Sequence, residues 1–135
     1  MEDINSLIQY LEATKPEQWL MDRVRSQDGK KNCVMGHVFD WGGGDEKAEN
    51  SNATKGGLAW EWFEECWATT YMIYPVNDGR DRRYQQATAK ERCIAYLKDL
   101  RDGKAKNTRQ LWDEYERRPV PTFSAAERGK PRKVV

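Results

Sequence analysis

One stretch limits the fold more than any other. Leu58 to Tyr74, LAWEWFEECWATTYMIY, sets Leu58, Trp62, Cys66 and Thr69/Ile73 along one helical face and Trp60, Phe63, Trp67 and Tyr71 along another. A helix apolar on two faces has to be covered on both sides. The stretch therefore predicts a central helix from Leu58 to Ile73, stopped by Pro75. A chain of 135 residues is long enough for one domain with a real core and too short for two ordinary ones. Charged residues make up 33%, but six tryptophans and an aromatic share of 11% allow a packed interior.

Helices flank this centre. Ile4, Leu7, Ile8 and Leu11 recur at the helical interval after Asp3, an N-cap residue, and predict a first helix ending near Thr14. Thr14-Lys-Pro16 reads as a restart, with Trp19, Leu20 and Val24 as the next stripe, to about Arg25. Asp28-Gly29 is a turn signal that allows a small hairpin. Val34, Val38, Phe39 and Trp41 fit a short helix closed by Gly42 to Gly44, and a strand from Asn32 to Val34 leading into it is also compatible. Residues 43–57 read as a flexible loop. Thr88 and Glu91 form a capping box before a stripe of Cys93, Ile94, Leu97 and Leu100. Thr108 is placed to cap a last helix carrying Leu111, Trp112 and Tyr115, before Pro119 and Pro121. The expected fold is all-α: a single small domain of about five helices over residues 1–116, followed by a basic tail at 117–135.

Charge supports that division. Residues 117–135 carry six basic side chains and one acidic, +5, which leaves −4 for residues 1–116 of a chain at +1. No signal peptide precedes the first amphipathic run, and no apolar stretch reaches the roughly 20 residues of a membrane span. Three widely spaced cysteines, an odd number, read as reduced thiols in a cytoplasm.

The candidate chemistry starts at KNCVMGHVFDWGGG, residues 31–44, where Cys33 and the chain's one histidine, His37, fall on one helical face. An imidazolium there would activate the thiol, with Asn77 or Asp78 as the orienting group, so that Cys33, His37 and Asp78 make the catalytic set of an enzyme reading. The packing alternative makes Cys33 a small buried apolar residue and His37 a backbone-bonded one. A zinc site from Cys33, His37, Cys66 and Cys93 would have the right donor types but no chelating spacing, and a catalytic zinc would need more than one histidine. No metal or cofactor is expected. Glycines 42–44 lack the spacing of a phosphate loop. In NDGRDRR, Asn77 to Arg83, Arg80, Arg82 and Arg83 are suited to gripping an acidic or phosphate partner, while Asn-Asp-Gly is also what a tight turn prefers.

NCVMGHV, then YPVNDG, then the capped TAKERCIAYLKDL together resemble a family of small, functionally uncharacterised proteins of phages and bacteria. Such proteins carry a Cys-x-x-Gly-Ala/His block, a later Asn-Asp turn and a Thr/Ser-capped helix. The resemblance covers roughly residues 19 to 101 and falls on Cys33, Gly36, Asn77 and Asp78, with Trp19 a further match. It implies a small soluble protein of a phage or mobile element acting inside a bacterial cell.

Three functions follow as expectations. The leading one is a non-catalytic interaction protein that binds a host or phage protein, for instance an inhibitor of a host enzyme or of a defence complex such as CRISPR machinery. Its partner-binding residues would be Trp41, Asn77, Asp78, Arg80, Arg82, Arg83 and Trp112, with Trp41 and Trp112 as exposed anchors, since Trp, Tyr and Arg dominate interface hot spots. The second is the Cys33/His37 enzyme. The third is nucleic-acid binding through the tail at 117–135.

Overall fold

The computed structural model describes residues 3–43 and 55–117. They form an all-α domain of six helices: α1 Ile4–Ala13, α2 Val34–Trp41, α3 Lys55–Cys66, α4 Thr70–Asn77, α5 Ala89–Arg101 and α6 Thr108–Arg117, with one 3-10 turn at Pro16–Gln18. The expected loop at 43–57 and tail at 117–135 lie outside the described residues, apart from Gly43, residues 55–57 and Arg117. No helix among the described residues is long and apolar enough to cross a membrane.

α1 forms as its sequence dictates. Asp3 accepts a hydrogen bond from the Ser6 amide at 3.0 Å, and Ile4, Leu7, Ile8 and Leu11 are buried along one stripe. That stripe packs on α5 and on α2. α5 starts at Thr88 with one half of the expected capping box, the Glu91 amide donating to Thr88 Oγ1 at 3.1 Å, and buries Cys93, Tyr96, Leu97 and Leu100. α4 packs on α5 as well, while α2 lies on α3 and α3 carries α6.

Five expectations are corrected. The second helix is a single turn at Pro16–Gln18, after which backbone groups pair across the chain. The Leu20 amide donates to the Asn32 carbonyl at 3.0 Å, the Asn32 amide to Gln18 at 2.9 Å and the Cys33 amide to Val24 at 2.9 Å. Trp19, Leu20 and Val24 make too short a stripe to hold a helix, so the backbone finds partners elsewhere. The turn at Asp28-Gly29 is present, with Gly29 at φ 73°, but it closes only one antiparallel residue pair, Arg25 with Asn32, and no hairpin strands.

The central helix is two helices. The break falls at Trp67–Thr69, where Ala68 is fully buried and the Trp67 carbonyl accepts from the Thr108 amide at 3.0 Å. Glu64 takes both the amide and the hydroxyl of Thr70, at 3.2 and 3.0 Å, which turns the chain into α4. Apolar period runs on through the break because both helices feed one core, so the pattern alone hides it. Pro75, expected to stop the helix, sits inside α4. Its missing N–H would have served the carbonyl of Tyr71, so the loss falls on a residue 91% exposed and not on one of the core.

At α6 the cap is Asn107, not Thr108: Asn107 Oδ1 accepts from the Gln110 amide at 2.9 Å, and Gln110 Oε1 from the Asn107 amide at 2.8 Å.

Candidate functional site

The Asn77-Asp78 turn does meet the Cys33 block, and the contact is structural. Asn77 is 1% exposed. Its Oδ1 accepts from the Val34 amide, one of the unpaired amides at the start of α2, at 3.0 Å. Its Nδ2 donates to the Leu20 carbonyl at 2.9 Å and to Asp78 Oδ1 at 3.0 Å. Asp78 Oδ1 also accepts from the amide of Asp22, which holds a left-handed φ of 66°. Beneath this, Arg92 is buried on α5 and satisfies the end of α4. Nε donates to the Val76 carbonyl at 3.0 Å, Nη2 to Asn77 at 2.8 Å and Nη1 to Gln86 at 3.0 Å. A cation at a helix C-terminus is favoured by the helix dipole as well. One side chain thus ties α2, α4 and the 19–25 segment together, and a second clamps them to α5.

Gly36 completes the junction. A Cβ there would lie 2.8 Å from Asn32 Cβ and 2.9 Å from the Val24 carbonyl oxygen, so only glycine fits. Asn32 in turn is held by Arg25 and Asp40, at 2.8 and 3.2 Å, and Arg25 pairs with Asp40 at 2.9 Å.

The Cys33, His37 and Asp78 set is not assembled. Cys33 lines a cleft of about 440 Å³ with Tyr74, Asn77, Asp78 and Arg80, whereas His37 lines a separate cavity of about 710 Å³ with Tyr10, Gln18 and Asp40. Burial pushes the Cys33 thiol up, opposed by the Gly36 and Met35 amides and reinforced by the Asp78 carboxylate, so the thiol stays protonated at neutral pH. His37 stacks on Trp19 at 4.3 Å, and its Nε2–H donates to the Gln18 carbonyl at 3.1 Å. Burial lowers its pKa to about 4, leaving no imidazolium to activate a thiol. Among the described residues no three histidine, cysteine or carboxylate side chains converge as a metal would need, so Cys33, His37, Cys66 and Cys93 do not form a zinc set. All three cysteines are free.

The other candidates divide cleanly. Trp41, expected as an exposed anchor, is half-buried, packed on Trp62 at 5.4 Å with its Nε1 3.4 Å from Ser6 Oγ. Arg80 pairs with Asp78 at 3.0 Å and Arg83 with Asp81 at 2.8 Å, both arginines remaining exposed, and Arg83 lies over the Tyr84 ring. Arg82 is exposed.

Trp112 is exposed as expected, at 57%, and it is not alone. Leu111 is 39% and Tyr115 64% exposed on the same face of α6, with Trp112 and Tyr115 edge to face at 5.8 Å. With Thr69, Met72 and Thr108 they line a hollow of about 260 Å³. The spacing Thr108-Leu111-Trp112-Tyr115 was visible in the sequence as a helical stripe; that nothing in this chain's described residues covers it was not. Comparison with protein-family models, with characterised proteins and with solved structures finds no match to this chain.

Proposed function

We propose that the protein is a non-catalytic interaction module that docks a partner protein on the aromatic face of α6. The observation behind this reading is the uncovered stripe of Leu111, Trp112 and Tyr115 around one hollow. Large apolar side chains left together in water on a small domain mark a binding surface, and Trp and Tyr are the residues that carry most interface energy. The arginine turn is secondary in this reading: Arg80 and Arg83 already have carboxylate partners, and Asn77 has no hydrogen-bonding capacity left to offer. An enzyme built on Cys33 and His37 finds its residues in two separate cavities.

A setting inside a bacterial cell, on a phage or mobile element, and an inhibitory role toward a host complex belong to the same proposal. They rest on the short sequence blocks and, for the reducing compartment, on the three free thiols. Affinity capture with the full chain tests the docking face. Partners retained by an Arg80/Arg82/Arg83 triple alanine variant and lost by Trp112→Ala/Tyr115→Ala support it. Partners retained by the α6 variant overturn it.

A further inference from the structure

We infer that the occupant of this face is a basic amphipathic segment of another protein; the inference rests on the docking surface just proposed and adds the partner's chemistry. Trp112 stands between two hollows. On one side is the apolar hollow with Met72, Leu111 and Tyr115; on the other is one of about 400 Å³ lined by Glu61, Glu64 and Glu65 of α3. Thr69, Thr108 and Trp112 line both, so an occupant of one borders the other.

The three glutamates are not equivalent. Glu64 is committed to Thr70, as described above. Glu61 and Glu65 are exposed and make no ion pair among the described residues. They are one helical turn apart, where like charges repel by a few tenths of a kcal/mol. Lys106, two residues before Thr108, is paired with Glu114. A lysine or arginine laid across the Trp112 ring with its charge at Glu61 and Glu65 gains cation–π and ion-pair contacts together.

A second, independent feature marks the same place. Thr108 is 4% exposed, and its Oγ1 is a buried side-chain oxygen without a hydrogen-bond partner, the one such atom among the described residues. Buried polar atoms are normally paired, so an orphan hydroxyl on a residue that lines both hollows marks this as the place where the described structure is incomplete. An aliphatic or aromatic side chain in the apolar hollow and a cation one helical turn away describe an amphipathic basic segment.

The test uses the full-length chain and a fluorescent 14-residue peptide of leucine and lysine at helical spacing, with a leucine–glutamate peptide of the same pattern beside it. Binding of the first and not the second is expected. The affinity should fall at least about tenfold in Trp112→Ala and about fivefold in Glu61→Gln/Glu65→Gln. It should stay unchanged in Glu12→Gln/Glu17→Gln, a pair of exposed glutamates on another part of the surface that controls for net charge. Equal affinity for the two peptides, or equal losses in the two double variants, overturns the basic partner. If Trp112→Ala weakens both peptides alike, the docking face stands and only the partner's charge falls. If Trp112→Ala changes nothing, both fall. Concentration-dependent self-association abolished by Trp112→Ala would assign the face to a second copy instead, and a gain in peptide affinity on replacing Arg128, Lys130, Arg132 and Lys133 by glutamine would assign it to the chain's own tail.

Discussion

At the end of α4 the chain buries an asparagine and an arginine, while on α6 it leaves a leucine, a tryptophan and a tyrosine in water. The two regions invert the ordinary rule, and each inversion has a different meaning. Around Asn77 and Arg92 the amide and guanidinium groups have protein partners, so the polar cluster is complete and acts as structure. On α6, among the described residues, nothing covers the apolar side chains and Thr108 Oγ1 has no partner, and the docking proposal rests on that region. Polarity alone would have assigned the roles the other way round.

The largest effect expected is at the junction. Arg92→Ala takes the guanidinium donors away from the carbonyls of Val76, Asn77 and Gln86, of which Val76 keeps the Gly79 amide, and should cost roughly 3–5 kcal/mol, read as a fall in the urea midpoint. Arg92→Lys, which keeps the charge but not the fork, should recover only part of it. A loss below about 1 kcal/mol would break the comparison, since the polar cluster would then not be holding the fold.

His37 provides the next test, through pH. Its folded pKa of about 4 lies below the usual 6.5, because burial disfavours the imidazolium despite the Gln18 carbonyl and Asp40. The unfolded chain therefore takes up a proton that the folded chain refuses. Stability is full above about pH 6.5 and is lost as pH falls toward 4, by about 3 kcal/mol. Denaturant titrations across that window should show this slope in the wild type and lose it in His37→Gln. The Asp28 and Asp81 carboxylates, held low by Ser26 and Arg83 respectively, titrate below that window.

Gly36→Ala sharpens the comparison from the side of packing. The new methyl meets Asn32 and the Val24 carbonyl, and overpacking of this kind costs about 1–3 kcal/mol. The smallest effect on stability belongs to α6: Trp112→Ala and Tyr115→Ala should each move the thermal midpoint by only a few degrees, corresponding to less than about 1 kcal/mol. A larger loss would make that face part of the core.

Much of the scaffold was legible because its signals are local. Asp3 and Thr88 sit where their caps are observed, the α1 stripe buries the residues that periodicity names, and the α5 stripe buries Cys93, Leu97 and Leu100 but leaves Ile94 half-buried and takes in Tyr96. What the sequence withheld is non-local. Asn77 bonds Val34 from 43 positions away, so its turn chemistry and its role as a tie between helices look alike in the string of letters. Arg92 falls on a stripe otherwise apolar, where a charge reads as an interruption until the α4 carbonyls are seen above it. Cys33 and His37 illustrate the limit of spacing: Cys33 is the cap and His37 lies inside the helix, and the two side chains open to different cavities. For α6, period names the residues that share a face and says nothing about what lies against it.

In this proposal the Asn77-Asp78 turn is scaffold and the Trp112 face is the docking surface. Titrating the isotope-labelled full chain with the leucine–lysine peptide, while following backbone amide and indole NMR signals, tests it most directly. Shifts are expected at the Trp112 indole and the Leu111 and Tyr115 amides, with the amides of Asn77, Asp78 and Arg80 unmoved. Shifts concentrated on Asn77 to Arg83 with α6 silent would contradict it.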